Sequence, residues 1–252
     1  MEEKDIKYYR NEDKPIDIKG YENLVFFDTE TTGFDPKENR IIELAAVKIS
    51  PCNSSRIDYL VKLPLMQFIP DKIVELTGIT DKMLDDEGVS EEEALKEFAG
   101  LLMGAGKTLL IAHNAQFDLN FIGWAFWRYR EEHPSWNRAF NEADYLDSLT
   151  VYKDRRAFPH KLANAIEAYK LGDKVQNTHR AIDDCLALFE VTKAMQAERG
   201  DLESYINIFG VNPKYGVSGS TLKKVIYHNQ GFNNSITTPE QTLPAIIAKE
   251  RR

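Results

Sequence analysis

Two carboxylates, Asp28 and Glu30, follow directly on an apolar run at residues 24–27. An unbroken apolar run is typical of a strand that is buried on both faces. We expect this strand to stop at Asp28, and Gly33 to break the chain soon afterwards. Since residues two apart on an extended backbone point to the same side, both carboxylates should project together. A divalent cation between them would remove their repulsion and their desolvation cost, and carboxylate oxygens suit Mg²⁺ or Mn²⁺. A polar turn without metal is the alternative interpretation of this pair alone.

A third carboxylate, Asp118, closes the stretch His-Asn-Ala-Gln-Phe-Asp at residues 113–118. It should lie in the first turn of a helix, where the helix dipole favours an Asp even without a catalytic role. Phe117 offers a face on which a base could stack, although core packing is the commoner role of such a residue. His113 and Asn114 offer hydrogen-bond donors to a phosphate.

His179, Asp183 and Asp184 lie around the start of the last long predicted helix. Residues five apart on a regular helix point in different directions, so His179 and Asp184 share a site only if His179 precedes the helix. Asp183 competes with Asp184, and spacing alone does not choose between them. The structural alternatives are a solvated helix face for either Asp and a surface or capping role for His179.

The rest of the chain supplies the elements that must position these side chains. Apolar runs and turn signals predict a meander of antiparallel strands, followed by alternating strands and helices. The predicted strands are residues 24–27, 41–49, 57–63, 108–113 and 145–147. The predicted helices are residues 72–76, 91–103, 117–129, 161–169 and 181–197. This order of elements indicates an α/β fold with a mixed sheet.

The stretch Gly-Ala-Gly-Lys-Thr at residues 104–108 looks superficially like part of a phosphate-binding loop. The full pattern requires a glycine where this chain has Leu101, and such a loop follows a strand and opens a helix. Here the stretch follows a predicted helix and opens a predicted strand, so we interpret it as a turn.

Length and composition allow one sizeable domain with an appendage, at 252 residues of which 42% are hydrophobic and 29% charged. A formal net charge of −8 argues against bulk electrostatic coating of duplex nucleic acid, but not against an enzyme that engages a strand end locally. From residue 207 onwards six Lys or Arg face two Glu, so a weakly basic tail follows an acidic body. No apolar run approaches the ~18 residues of a membrane span, and the first residues are charged. Cys52 and Cys185 lack metal-binding spacing, and we expect a cytoplasmic protein.

Taken together, the three acidic motifs resemble those of the DEDDh 3′–5′ exonucleases, the DnaQ-like family that includes the proofreading epsilon subunit of DNA polymerase III. The motifs are Phe-Asp-Thr-Glu-Thr-Thr-Gly at 27–33, His-Asn-x-x-Phe-Asp at 113–118 and His-x-Ala-x-x-Asp at 179–184. Leu-Thr-Gly-Ile-Thr at 76–80 matches a further stretch of the proofreading branch. The resemblance covers roughly residues 21–199 and implies an RNase H-like fold, a five-stranded mixed sheet flanked by helices.

The domain organisation that follows is an N-terminal charged extension at 1–20, an exonuclease domain at 21–200 and a C-terminal appendage at 201–252. The tail contains Tyr215, Tyr227 and Phe232 among Gly, Asn and Lys. The sequence allows two roles for this tail, which are packing onto the domain and nucleic-acid binding. Gln-Thr-Leu-Pro at 241–244 faintly resembles the Gln-x-Leu peptides by which replication proteins dock on a sliding clamp.

The resemblance also assigns roles to individual residues. The family's last acid lies five residues after the His, which selects Asp184. Asp28, Glu30 and Asp184 would hold one metal ion, and Asp28 with Asp118 a second, both Mg²⁺ or Mn²⁺. His179 would be the general base, since an imidazole titrates close to working pH. Three further residues would contact the terminal nucleotide: Thr31, His113 and Phe117.

The implied function is hydrolysis of phosphodiester bonds from the 3′ end of DNA, single-stranded or mismatched, with release of nucleoside 5′-monophosphates. A DNA polymerase and a sliding clamp are candidate partners, and no membrane is involved. An RNA-directed exonuclease is the first alternative, because sugar discrimination depends on contacts at the 2′ position that the motifs do not specify. A non-catalytic nucleic-acid- or polymerase-binding module is the second, although such a module has no need of four converging carboxylates.

Overall fold

The structure, a computed structural model, describes residues 16–51, 54–175, 178–231 and 238–252. Most of the predicted N-terminal extension, Cys52 and Phe232 lie outside these ranges. The strands are β1 (Asn23–Thr31), β2 (Ile41–Ile49), β3 (Ser54–Leu60), β4 (Thr108–Ala112), β5 (Asp144–Asp147), β6 (Ile208–Val211) and β7 (Ile226–Asn229). The α-helices are α1 (Asp71–Thr77), α2 (Asp81–Glu87), α3 (Glu91–Leu102), α4 (Ala115–Arg128), α5 (Pro134–Glu142), α6 (Ser148–Lys153), α7 (Leu162–Ala168), α8 (Ala181–Arg199) and α9 (Leu243–Glu250).

One mixed sheet has the strand order β3-β2-β1-β4-β5. β1 pairs antiparallel with β2, and β2 pairs antiparallel with β3. β4 lies parallel to β1, and β5 lies parallel to β4. The prediction of a five-stranded mixed sheet in an α/β fold is therefore confirmed.

The central strand β1 is longer than predicted, because it continues through Asp28 to Thr31. Its register with β2 pairs Glu30 with Glu43, so β2 holds the extra residues in extended conformation. On its other edge β1 pairs with β4 only from Asn23 to Phe26. Beyond that point the edge of β1 is open, and this opening is where the candidate site forms.

Consecutive residues of β1 bury two cores on opposite faces of the sheet. The ring of Phe27 contacts Phe98 of α3 with centroids 5.5 Å apart, in a core shared with α4 and α5. The ring of Phe26 contacts Phe189 of α8 with centroids 5.3 Å apart, in a core shared with α7. The alternation of a strand thus places α4 and α8 on opposite faces of β1.

Four short helices, α2, α5, α6 and α9, and the strands β6 and β7 were not predicted. α5 begins at Pro134, where the missing N–H of a first-turn proline costs nothing. The strand predicted at 57–63 lies at Ser54–Leu60 instead, and the glycine-rich stretch after α3 is a turn that leads into β4, as interpreted.

The described part of the C-terminal tail is packed onto the domain. β6 and β7 form a parallel pair, and Phe209 and Val225 are buried in the same core as α3 and α4. In α9, Leu243 and Ile247 are buried against Ile208 of β6. Among the described residues, no helix combines the length and apolarity needed to cross a bilayer.

Candidate active site

Asp28 and Glu30 are partly exposed on β1 where the strand leaves the core. Asp184, in the first turn of α8, is buried at 7% exposure. A carboxylate oxygen of Glu30, one of Asp184 and a ring nitrogen of His179 all lie within 4.8 Å of one another. The structure therefore brings the first and third sequence motifs together.

His179 precedes α8 on a turn with φ of +58°, and the helix begins at Ala181. This departure from helical geometry allows the imidazole to share a site with Asp184 five residues later. The neighbouring Asp183 accepts a hydrogen bond of 2.6 Å from the Thr178 hydroxyl. The two acids thus have different surroundings, and it is Asp184 that lies beside Glu30.

Asp118 enters the site from α4 through the open edge of β1. Its Oδ1 accepts hydrogen bonds from the backbone N–H of Thr29 at 3.1 Å and from the Thr29 hydroxyl at 2.7 Å. The Asp118 carboxylate thus accepts from an N–H of β1 that lies beyond the stretch of β1 paired with β4. This contact fixes the start of α4 against the acidic end of β1.

Glu43 is a fully buried carboxylate that sequence reasoning missed. It lies on β2 opposite Glu30, and it accepts hydrogen bonds of 2.8 Å from the backbone N–H of Ala181 and from Nε of Arg180. Glu43 therefore holds the N-terminus of α8, and with it Asp184, against the sheet. The sequence signal that could have identified Glu43 is a charged residue inside an otherwise apolar strand.

The electrostatics of the site are those of anions crowded together in low dielectric. Burial and the charges of Asp184 and Glu43 raise the pKa of Glu30 to about 8. Burial raises the pKa of Asp118 to about 7, against the opposing hydrogen bonds from Thr29. The pKa of Asp28 is raised well above its usual range by burial and then by the surrounding carboxylates. Without a bound cation the site therefore holds protons near neutral pH.

His113 lies at the end of β4 with both ring nitrogens engaged. Nε2 is 2.9 Å from the backbone carbonyl of His160, and Nδ1 is 2.9 Å from the Ser148 hydroxyl. Since a carbonyl only accepts, Nε2 carries the proton and Nδ1 accepts from the serine. Burial lowers the pKa of His113, which favours this neutral form. Its role as a substrate contact stays a prediction, and the structure adds a role in fixing the loop at His160.

Thr31 and Phe117 lie at the rim of the site. The Thr31 hydroxyl donates to the carbonyl of Gly33 at 2.7 Å and so stabilises the turn that follows β1. The half-buried ring of Phe117 contacts Phe121 and the exposed Phe34, with centroids 4.9 and 6.4 Å apart. An aromatic surface therefore adjoins the carboxylates, as needed if a base stacks there.

Asp147 is a second buried acid that sequence reasoning missed as a positioning residue. It lies at the end of β5 and its Oδ1 accepts from the backbone N–H groups of Asn114 and Ala115 at 3.0 and 3.1 Å. Asn114 adopts a left-handed φ of +69° at the start of α4. Asp147 thus holds the strained turn that directs Asp118 into the site.

The part of the chain that forms this site also matches a known protein family. Residues 25–192 match the sequence profile of the RNase T family, described as exonuclease. The chain belongs to this exonuclease family. All five of the predicted catalytic and metal-binding residues lie within the matched range. The family supports a nuclease of the hydrolase class, related to the DnaQ-like proofreading exonucleases, and the family generally uses divalent metal ions.

Curated relatives agree with this membership. DNA polymerase III PolC-type from Clostridium perfringens is 30% identical over 232 residues, which are 88% of this chain and 15% of that protein. The same type of protein from Thermotoga petrophila is 34% identical over 175 residues, 68% of this chain and 12% of that protein. The chain thus spans only a small part of the length of these relatives.

E. coli Exonuclease I in complex with a dA16 oligonucleotide has a TM-score of 0.62 at 20% identity, covering 73% of this chain and 42% of that one. Cell-death related nuclease 4 (CRN-4) has a TM-score of 0.58 at 17% identity, covering 71% and 65%. These structures share the RNase H-like fold, which confirms the predicted fold class.

Proposed function

We propose that the chain is a 3′–5′ exonuclease that hydrolyses phosphodiester bonds from the 3′ end of DNA and releases nucleoside 5′-monophosphates. The observation that carries the proposal is the convergence of acidic side chains from three elements on one partly exposed point. β1 contributes Asp28 and Glu30, α4 contributes Asp118, and α8 contributes Asp184. The imidazole of His179 lies beside them.

The donor set fits divalent cations. Several crowded carboxylates with raised pKa values lie together, which is costly unless protons or cations neutralise them. Asp28, Glu30, Asp118 and Asp184 supply oxygen ligands of the kind that Mg²⁺ and Mn²⁺ prefer. Two such ions, when bound, neutralise charge on the attacking and leaving oxygens of an in-line displacement at phosphorus.

The protein's own residues would orient the strand and move the proton. His179, exposed on its turn beside Glu30 and Asp184, accepts a proton from the attacking water as general base. Phe117 stacks on the terminal base, and Thr31 with the turn at Gly33 borders the sugar. Glu43 and Asp147 hold α8 and α4 in place without touching the substrate.

Single-stranded DNA is the preferred substrate of this proposal, because the solved Exonuclease I of the same fold holds a DNA oligonucleotide and the PolC-type relatives are DNA polymerases. A DNA polymerase is accordingly the proposed partner class. A sliding clamp is not included, because Leu243 of the Gln-x-Leu stretch is only 2% exposed and contributes to the core beneath α9. An RNA substrate remains the alternative that the experiment must separate.

The test is digestion of single strands labelled at the 5′ or the 3′ end, with Mg²⁺ or Mn²⁺ and with EDTA. The expected result is a ladder that shortens from the 3′ end, mononucleotide product, and no reaction in EDTA. Matched DNA and RNA strands of one sequence decide the sugar preference. Release from the 5′ end, internal cuts, or metal-independent cleavage would contradict the proposal.

The general base can be tested separately. His179→Ala should lower the rate by about 10²–10⁴-fold while metal binding is largely retained, because only the proton acceptor is lost. His133→Ala is the matched control, since His133 pairs with Glu92 and stacks on Trp136 instead. A kcat of His179→Ala close to that of the wild type would assign the proton transfer to another group.

A further inference from the structure

A cavity of about 390 Å³ opens beside the candidate site, between the loop that joins β1 to β2, α4 and the C-terminal tail. The loop contributes residues 34–37, α4 contributes Trp124, and the tail contributes Gly219 and Ser220. Phe34 links this cavity to the site, because its ring also contacts Phe117. The cavity therefore continues the aromatic surface away from the carboxylates.

The lining of the cavity combines aromatic faces with a cation. Phe34 is 84% exposed, so its ring is accessible to a ligand in the cavity. The Lys37 ammonium lies 5.3 Å from the centroid of the Trp124 ring. Asp35 is the acid in the lining, and its Oδ1 accepts from the Lys37 backbone N–H at 3.0 Å. Aromatic faces that alternate with cations are the usual means of holding a nucleic-acid single strand.

The tail wall of the cavity is anchored to the catalytic helix. The Gln116 amide donates to the carbonyls of Ser218 and Ser220 at 2.7 and 2.9 Å. Asn120 accepts from the Ser220 N–H at 2.8 Å. Gly219 has a left-handed φ of +72°, and a Cβ there would lie 2.8 Å from Oδ1 of the Asn120 side chain. This tail segment is therefore fixed by two residues of α4, Gln116 and Asn120, which lie two positions before and after Asp118.

We infer that this cavity binds a nucleotide of the substrate strand upstream of the one that is released, and that residues 218–220 of the tail complete it. The base would stack on Trp124 or Phe34, and its phosphate would pair with Lys37. This inference rests on the proposed function and adds a second binding position to it. It also gives the tail a role in substrate binding, outside the residues that match the exonuclease family.

The test compares a substrate that fills only the catalytic position with one that is long enough to reach the cavity. The two substrates are the p-nitrophenyl ester of thymidine 5′-monophosphate and the single strand dT8. Lys37→Gln and Trp124→Leu should raise KM for dT8 roughly 5- to 20-fold and leave hydrolysis of the ester unchanged. Gly219→Val should do the same, because the tail wall must move away from Asn120.

The matched control is Arg130→Gln, which removes a cation from the face of Trp127, in the last turn of α4 and outside the lining of the cavity. It should leave both substrates unaffected. Unchanged dT8 binding in Lys37→Gln and Trp124→Leu, or an equal loss on the ester, would overturn the inference. If the wild-type chain hydrolyses neither substrate, the proposed function fails. Anisotropy of labelled dT2 and dT8 with the same variants then still tests the cavity, because a length-independent response excludes it.

Discussion

At the scale of single residues, the adjacent acids Asp183 and Asp184 have different partners in the fold. Asp184 lies beside Glu30 and His179, whereas Asp183 accepts from the Thr178 hydroxyl. Asp184→Asn should lower nuclease activity by a factor of about 10³ or more, because a ligand of the cation site is lost. Asp183→Asn is the matched control and should retain activity within a few-fold. The measurement is kcat on a labelled single strand, and the reverse result would show that the last motif is wrongly assigned.

The raised pKa values of the site also predict how the metal-free protein responds to pH. Glu30 has a pKa of about 8 and Asp118 of about 7, above the ordinary values near 4 in an unfolded chain. A carboxyl group whose pKa is raised on folding stabilises the folded state fully at pH values below its unfolded-state pKa. This stabilisation is lost as pH rises through its folded-state pKa. In EDTA the protein should therefore melt at a lower temperature at pH 8.5 than at pH 5.5.

Divalent cations should reverse this loss, because they replace the protons at high pH. Added Mn²⁺ or Mg²⁺ should raise Tm more at pH 8.5 than at pH 5.5. Asp118→Asn removes one of the titrating carboxylates, and it should flatten the pH dependence in EDTA. A Tm in EDTA that is the same at both pH values would contradict the crowding of carboxylates.

At the scale of elements, Glu43 and Arg180 join β2 to the start of α8, and the two partners differ in exposure. Glu43 is fully buried, whereas the Arg180 side chain is 38% exposed. Arg180→Met leaves a buried carboxylate without its cation, and such a loss costs about 3–5 kcal/mol in fully buried pairs, less here because Arg180 reaches solvent. Glu43→Gln leaves an arginine that water can solvate, and the amide oxygen can still accept from Ala181. Denaturant titration should therefore find Arg180→Met the less stable of the two, and the opposite order would contradict this account.

The boundaries of elements show which part of the site the sequence could specify. β2 has the predicted bounds, because the residues that predicted it pair with β1 along their whole length and with β3 from Glu43 to Ile49. β1 extends past its apolar run because β2 pairs with Glu30 and Thr31, and that pairing is a tertiary contact. The position of Asp118 against Thr29 likewise depends on β4 ending before β1 does. Motif spacing therefore indicated which carboxylates to consider, whereas the open strand edge that gathers them has no local sequence signal.

At the scale of the whole molecule, the tail is the segment whose role the sequence left open. Its polar and basic composition suggested an appendage, yet Gln230 is fully buried and donates to Asp154 at 2.7 Å. Leu243 also donates its backbone N–H to Asp154 at 2.7 Å. Buried hydrogen bonds of this kind between distant segments indicate that the described tail folds together with the domain.

Two truncations should therefore differ sharply in their effect on stability. Ending the chain after Gly231 removes the buried side chains of Leu243 and Ile247, a loss of about 3–6 kcal/mol at ~1.5–3 kcal/mol each. Ending it after Arg199 also removes five more buried side chains, those of Leu202, Tyr205, Ile208, Phe209 and Val225. The sum over all seven then reaches about 10–20 kcal/mol, as large as the whole stability of a typical domain or larger.

The shorter truncation should accordingly give a folded nuclease with a lower Tm, and the longer one should give little soluble protein. Soluble yield and thermal melting of both truncated chains, beside the full chain, are the measurements. A soluble and active chain ending at Arg199 would show that the tail is not part of the core.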